Sequence, residues 1–184
     1  MNIELKTERL ILKTLDSSYA NPVLQYYIRN KEFFRSKVPE YHKDFFSEEY
    51  HIESLEKFRK DMESGNSVKL FIFTKNDPGK VIGDVSISNI VRGVFLSCHL
   101  GYKLDEEENG KGYASEAVKK ITDYAFNELN LHRIEANIMP SNSRSINLIR
   151  KLGFEEEGLA KKYLKLNGKW EDHIHYVQLN NKME

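Results

Sequence analysis

The strongest constraint on the fold is a change of hydrophobic period in the middle of the chain. Three consecutive segments, Val68 to Thr74, Val81 to Ile90 and Val94 to Leu104, read as strands and are separated by short turn sequences. The next segment, Gly112 to Leu129, instead places its apolar residues on one helical stripe. Such a stripe has to be covered by another element. The pattern therefore predicts hairpin-connected strands in a sheet with a helix packed on it.

The remaining segments extend this layout on both sides. Their order predicts an α+β protein with a mixed central sheet of about seven strands, covered by helices. An irregular connection is expected from Lys37 to Phe46, where the sequence has no clear period. The other expected elements are a strand at Glu8 to Leu15, one helix or a broken helix at Ser17 to Phe34, a helix at Ser47 to Ser64, a strand at Arg133 to Met139, a helix at Asn142 to Leu152, and strands near Phe154 to Leu164 and Trp170 to Leu179.

The composition fits one domain, residues 1 to 184, without a broad affinity for polyanions. Hydrophobic residues make up 40% of the chain and charged residues 30%, and no stretch reads as an interdomain linker. Lys plus Arg and Asp plus Glu both number 28, which argues against general binding to nucleic acid or to an anionic membrane. Any anion site must therefore be local.

The sequence also predicts a cytoplasmic protein without structural metal. Cys98 is the single cysteine, so an internal disulfide is excluded, and no paired Cys or His spacing suggests metal ligands. Met1 to Arg9 lacks the pattern of a signal peptide, and no run approaches the ~20 apolar residues that span a bilayer.

A glycine-rich turn joins the third strand of the hairpin run to the long helix. It reads Asn109-Gly110-Lys111-Gly112-Tyr113-Ala114. Glycines let backbone N–H groups approach a phosphate closely, and a helix N-terminus adds unpaired donors. The turn therefore suggests a pyrophosphate site, although a simple glycine turn would look the same. No Ser or Thr follows the lysine and the preceding strand lies in a hairpin, so neither a P-loop nor a Rossmann unit fits.

A second polar segment begins the next helix. Asn142 and Ser145 are three residues apart at its start, and Lys151, Gly153 and Phe154 follow. As a cap and first-turn pair, the first two could simply satisfy free N–H groups of the helix. Gly153 stands where a helix end favours a left-handed residue.

Together the two segments resemble the GNAT superfamily of N-acetyltransferases. In that family the glycine turn binds the pyrophosphate of coenzyme A, and the Asn-x-x-Ser-x-x-x-x-x-Lys-x-Gly-Phe stretch lies beside the pantetheine arm and the thioester. The resemblance implies acetyl-CoA as co-substrate, no metal, and a sheet splayed in its middle with helices on both faces. Most of the chain is also similar to the RimJ/RimL-like branch, the ribosomal-protein-alanine N-acetyltransferases, in Ser88 to Gly93, Leu100 to Tyr102, His132 to Ile134, Asn137 to Pro140 and Gly168 to His173.

This likeness implies acetyl transfer to the amino-terminal α-amino group of a protein, such as a ribosomal protein, by a monomer or homodimer. A backbone N–H within Leu100 to Tyr102 is expected to face the thioester oxygen. The implied coenzyme-binding residues are Tyr102, Lys103, Leu104, Asn109, Gly110, Lys111, Gly112, Tyr113, Ala114, Asn137, Asn142 and Ser145.

Two positions depart from the family pattern. Glu107, within the acidic run Asp105 to Glu108, stands where many members have Gln or Arg, and the carboxylates of the run are expected to point to solvent. Ile149 stands where some relatives have a tyrosine acid. Ser145 is therefore the expected partner of the coenzyme sulfur as the thiolate leaves.

The general base has two candidates. His99 lies where several relatives carry a glutamate base, and histidine exchanges protons at neutral pH. Glu135 alternates with Asn137 along the next strand, so both point to one face. A packed core histidine and a structural partner for Glu135 are the alternatives.

Three other functional classes stay open at this point. One is an acetyltransferase for a small amine, either a polyamine or an antibiotic. A second is a non-catalytic acetyl-CoA-binding module that associates with the ribosome. In the third, both polar segments are plain turns and caps in an unrelated α/β protein.

Overall fold

The computed structural model describes residues 2–35, 38 and 40–183. Lys37 and Pro39, in the expected irregular connection, lie outside these residues, and residues 40–46 form coil and turn. In chain order the elements are β1 (Glu4–Lys6), β2 (Leu10–Lys13), α1 (Ala20–Arg29), α2 (Lys31–Phe34), α3 (Glu48–Glu63), β3 (Val68–Thr74), β4 (Gly83–Val91), β5 (Ser97–Leu104), α4 (Tyr113–Asn127), β6 (Arg133–Ile138), α5 (Ser143–Lys151), β7 (Glu155–Leu166) and β8 (Lys169–Leu179), with short 3-10 turns at Ser17–Tyr19, Glu106–Glu108 and Asn181–Met183.

All of these strands form one sheet, in the order β1-β2-β3-β4-β5-β6-β8-β7. Neighbouring strands are antiparallel except β5 and β6, which are parallel. The predicted mixed sheet is confirmed, and it has one strand more than expected. That strand is β1, three residues long, which is too short for a sequence period and is recognisable only by its pairing with β2.

Alternation along the strands divides the apolar residues between two cores. Leu70 and Ile72 of β3 face α4 and α5, whose buried residues include Ile121 and Ile149. Phe71 and Phe73 face the other way, towards α1 and α3. Helices therefore cover both faces, which we call the α4/α5 face and the α1/α3 face.

The aromatic region from Ser17 to Phe34 is a broken helix, and Asn30 lies at the break. Its backbone leaves the helical range at φ −105° and ψ 12°. The buried Asn30 side chain donates through Nδ2 to the Tyr26 carbonyl at 2.9 Å and accepts through Oδ1 from the Glu106 N–H at 2.9 Å. The side chain thus competes with helical hydrogen bonding and connects this break to the turn after β5.

The long helices begin and end close to their expected positions. Ser47 caps α3 by accepting from the Tyr50 N–H at 3.2 Å.

Over the residues that the structure describes, no helix combines the length and the apolar character needed to cross a membrane.

Candidate active site

The sheet opens in the middle, between β5 and β6. The two parallel strands pair over three positions only, from Ser97 opposite Arg133 to His99 opposite Glu135. Beyond His99, β5 stays paired with β4 up to Leu104, while β6 stays paired with β8. The two strands therefore separate and leave a gap in the sheet.

Backbone groups of β5 point into this gap. The Asp105 N–H donates to the Ile82 carbonyl on the β4 side at 2.8 Å, whereas the Leu96 carbonyl accepts from the Arg133 N–H on the β6 side at 3.1 Å. Backbone groups alternate between the two edges of a strand, so Leu100 and Tyr102 face the gap. This places N–H donors inside the sheet without a strand to accept from them.

The glycine turn lies at the end of β5, where α4 begins. Gly110 and Gly112 have φ of +82° and +84°, in the left-handed region that glycine adopts without strain. Gly112 is the N-cap of α4 and provides no side-chain cap. Among the described residues, the N–H groups of Lys111, Gly112 and Tyr113 have no hydrogen-bond acceptor. The turn therefore presents free donors at a positive helix end, which suits an anion.

Arg9 braces this turn from the start of the sheet. It bonds Glu116 of α4 through Nε at 2.8 Å and the Lys111 carbonyl through Nη1 at 2.9 Å. Its guanidinium also lies 4.8 Å from the centre of the Tyr113 ring. Lys111 itself pairs with Glu108 at 2.7 Å. Arg9 was missed at the sequence level because its partners lie more than a hundred residues away.

The acidic run before the turn differs from expectation at its first and last residues. Asp105 is only 1% exposed and pairs with Arg29 Nε at 2.6 Å. The prediction that all these carboxylates point to solvent is therefore wrong for Asp105, and also for Glu108, whose side chain is only 14% exposed. Asn109 donates through Nδ2 to the carbonyls of Asp105 and Glu106, so its side chain holds the turn in place.

The N-terminus of α5 lies on the α4/α5 face. Asn142 Oδ1 accepts from the Ser145 N–H at 3.2 Å, so the capping explanation accounts for this oxygen. Tyr102 Oη donates to the Ser145 carbonyl at 3.5 Å, and burial raises the pKa of Tyr102 to about 12. The Ser145 hydroxyl has no partner within the described part of the chain. It is therefore free to bond another molecule.

The two candidate bases meet on the opposite, α1/α3 face. His99 Nε2 lies 3.7 Å from Glu135 Oε2, and its Nδ1 lies 3.3 Å from Asn89 Nδ2. Glu135 also accepts from Arg133 Nε at 2.7 Å, and Arg133 binds Glu157 as well. The His99 and Glu135 side chains are 37% and 20% exposed. His99 is therefore accessible rather than packed in the core.

The sequence comparisons identify the family of this chain. The sequence pattern described as "Acetyltransferase (GNAT) domain" matches residues 9–155. This chain is a GNAT acetyltransferase. It is 37% identical over 176 residues to the Bacillus subtilis (strain 168) protein named "Probable N-acetyltransferase YjcK", with 96% of this chain and 97% of that protein covered.

Two further relatives carry more specific names. The "[Ribosomal protein uS5]-alanine N-acetyltransferase" of Escherichia coli (strain K12) is 34% identical, over 94% of this acetyltransferase and 88% of that protein. The crystal structure of a ribosomal-protein-S5-alanine acetyltransferase from Vibrio fischeri has a TM-score of 0.92 and 35% identity, with 99% of each chain covered. The GNAT fold and acyltransferase class expected from the sequence are thus confirmed.

Three other residues of this acetyltransferase that were expected to bind the coenzyme lie on different sides of the sheet. Lys103 extends to the α1/α3 face, where Nζ lies 3.8 Å from the buried Asp84. The Leu104 side chain is in the core. Asn137 faces the α1/α3 side, where Nδ2 donates to Tyr163 Oη at 3.2 Å. Within residues 2–35, 38 and 40–183, no cluster of three His, Cys, Asp or Glu side chains could hold a metal ion.

Proposed function

We propose that this acetyltransferase moves the acetyl group of acetyl-CoA onto the amino-terminal α-amino group of a protein, with a ribosomal protein as the candidate acceptor. The observation that carries the proposal is the gap between β5 and β6, with a glycine turn at one end and candidate bases on the far face. The names of the Escherichia coli and Vibrio fischeri relatives support the choice of acceptor.

The α4/α5 face suits the coenzyme. The free N–H groups of Gly110 to Ala114 would bind the pyrophosphate, with Arg9 as an additional cation nearby. The Leu100 or Tyr102 N–H would donate to the thioester oxygen and stabilise the charge that develops there. Asn142 Nδ2 would orient the pantetheine arm, and the free Ser145 hydroxyl would donate to the leaving sulfur.

The α1/α3 face suits the acceptor amine. The amine must lose a proton to attack the thioester carbon, and the His99–Glu135 pair stands at the last paired position before β5 and β6 separate. His99 would take this proton directly or through a water, while Glu135 would stabilise the resulting imidazolium. Arg133 fixes the Glu135 carboxylate at 2.7 Å.

A modest base favours an α-amine over a lysine side chain. Deprotonation at pH 7 costs roughly 1 kcal/mol for an α-amino group and about 4.6 kcal/mol for a lysine. A small polycationic amine would be attracted by free carboxylates at the acceptor face. Glu135 and Glu157 share the single guanidinium of Arg133, so this group offers a polyamine one uncompensated carboxylate charge.

The proposal extends to the organisation of the chain and its location. We propose that residues 1 to 184 act as one domain, because one sheet carries both the turn and the bases. We also propose the cytoplasm as the compartment, since Cys98 is a free, buried thiol.

The test combines calorimetry with a thiol-release assay. Titration with acetyl-CoA comes first, and release is then measured with a peptide that begins with alanine. The same peptide with a blocked amino terminus is the matched control, and spermidine and free lysine are the competing acceptors. Micromolar binding with release on the free peptide only is expected. Release on spermidine alone would move the assignment to small amines, and no binding of acetyl-CoA would overturn the proposal.

A further inference from the structure

Three side chains from three strands meet on the α1/α3 face beside the gap. Asn137 of β6 and His175 of β8 are directly opposite each other in the register. Tyr163 of β7 lies over both, with its ring 4.6 Å from the His175 ring at 72° and its Oη 3.2 Å from Asn137 Nδ2. Neither Tyr163 nor His175 carries a role in the coenzyme site or in the proposed base pair.

Two polar atoms of this cluster are buried and unpaired. Asn137 Oδ1 and His175 Nε2 are shielded from solvent and have no hydrogen-bond partner among the described residues. Buried side-chain polar atoms nearly always have a partner, and an exception calls for a specific explanation. Two such atoms on directly paired residues indicate a place where a hydrogen-bonding ligand completes the structure.

Tyr163 reaches this position through an irregularity of β7. The pairing of β7 with β8 shifts register between Ala160 and Leu164. Lys162 has φ +50°, which a lysine rarely adopts, and its N–H donates to Asp172 Oδ1 at 2.7 Å. A bulge of this kind redirects the neighbouring side chain. Here it turns Tyr163 towards the sheet while Leu164 remains exposed.

The surroundings of the cluster select the kind of ligand. Asn137 follows Glu135 by two residues on the same face, so the cluster adjoins the proposed base pair. Arg133, the nearby cation, is occupied by Glu135 and Glu157. The unpaired Asn137 oxygen accepts hydrogen bonds and cannot donate them. A ligand rich in N–H donors is therefore the best complement, as an amino-terminal residue would be.

We propose that Asn137, Tyr163 and His175 form the subsite that receives the amino-terminal residue of the acceptor. This inference rests on the proposed function and assigns Tyr163 as a positioning residue. Asn137 Nδ2 donates to the Tyr163 hydroxyl, so the hydroxyl retains its own proton and one lone pair for the acceptor.

The test is Tyr163→Phe, which keeps the ring and removes the hydroxyl. Tyr124→Phe on α4 is the matched control, because Tyr124 is also half-buried and lies on the other face. Loss of one hydrogen bond to the acceptor should raise the KM for the peptide about five- to tenfold. We expect kcat within about twofold of wild type and an unchanged Kd for acetyl-CoA, since a hydroxyl that only positions the acceptor acts on its binding. An unchanged peptide KM, or an equal rise in the control, would overturn the inference.

A second measurement does not depend on a variant. The His175 ring resonance is followed by NMR while the alanine peptide is titrated into the wild-type protein saturated with coenzyme A. A shift that saturates with peptide binding supports the subsite, and a resonance that stays in place during demonstrated binding contradicts it. Failure of the proposed function has a different signature, because the wild-type protein would then release no thiol with the peptide. That result would remove both proposals.

Discussion

The two faces of the sheet contribute to the candidate site in different ways. On the α4/α5 face the donors are mainly backbone N–H groups, from the glycine turn and from β5 at the gap. On the α1/α3 face the polar groups are side chains from strands far apart in sequence, such as His99, Glu135 and Tyr163. A backbone site depends on a local conformation, whereas a side-chain site depends on the whole sheet. The first suits a constant ligand such as a coenzyme, and the second allows the acceptor to vary.

The sharpest way to break the backbone site is Gly112→Glu. At φ +84° an L-residue is strained, its Cβ would lie 3.3 Å from the Arg9 guanidinium, and the new carboxylate would repel a pyrophosphate. Repulsion of this kind costs several kcal/mol, so acetyl-CoA affinity should fall about 100-fold or more. Calorimetry measures this affinity for acetyl-CoA. Gly93→Glu is the control, since Gly93 has φ +70° in open space at the β4–β5 hairpin. Wild-type affinity in Gly112→Glu would remove the turn from the coenzyme site.

Substitutions in the side-chain site should lower the reaction rate and leave the affinity for acetyl-CoA unchanged. His99→Ala and Glu135→Gln should each lower kcat by about 100-fold, the usual contribution of a general base, and leave the Kd for acetyl-CoA unchanged. If the two residues act as a pair, the double variant should be little slower than either single variant. Rates are measured from about pH 6 to about pH 9, with exposed His42→Ala as control. A pH–rate profile that His99→Ala leaves unaltered would exclude this histidine.

A smaller effect is expected at the leaving sulfur, where Ser145 of the α4/α5 face is the proposed donor. Ser145→Ala removes the only side-chain hydroxyl proposed to reach the leaving thiolate. Loss of one such hydrogen bond should lower kcat about tenfold, with little change in acetyl-CoA binding. Ser143→Ala, at the exposed first position of the same helix, is the matched control. Equal rates in the two variants would leave Ser145 as a capping partner of Asn142 alone.

The smallest effect concerns Glu116, which binds Arg9 beside the glycine turn. Burial by itself would raise the pKa of Glu116, but hydrogen bonds from Thr7 and Arg9 outweigh it and hold that pKa below its ordinary value. Because the folded-state pKa is depressed, the stabilisation is complete above the pKa of an unfolded glutamate, about 4.3, and is lost as the pH falls through the folded value.

Glu116→Gln should therefore lower the free energy of unfolding by about 1 kcal/mol at neutral pH. The difference from wild type should shrink between about pH 5 and about pH 2. Urea unfolding at several pH values measures this. Asp123→Asn, which breaks an exposed pair with Lys119 on the same helix, should change stability less. A pH-independent difference would show that the charge of Glu116 is not its contribution.

Local sequence was sufficient for most of the backbone. The bounds of Val68–Thr74 were predicted as observed, because the strand is rich in apolar residues and is followed by turn residues. Gly112 was recognisable as a helix start because a glycine precedes an amphipathic stripe. Asn142 was recognisable as a cap because asparagine is a preferred N-cap residue and stands just before the α5 stretch.

Long-range contacts account for what the sequence did not show. Arg29 and Asp105 are 76 residues apart, and neither has a local signal for their buried pairing. Tyr163 depends on a bulge at Lys162, where nothing in the sequence favours a positive φ. His99 and Glu135 were predicted as alternatives, and only the parallel register places them opposite each other. The roles of these residues in catalysis and binding stay predictions.

The short seam between β5 and β6 makes the protein's stability dependent on its ligand. The sheet consists of two leaves, β1 to β5 and β6 to β8, and its strand-to-strand hydrogen bonding across the middle is limited to three residue pairs. A coenzyme arm in the gap would act as a partial ninth strand, supplying the acceptors that β5 lacks. Binding to the folded state alone raises the free energy of unfolding with ligand concentration. Melting temperature should therefore report how much coenzyme A the protein carries.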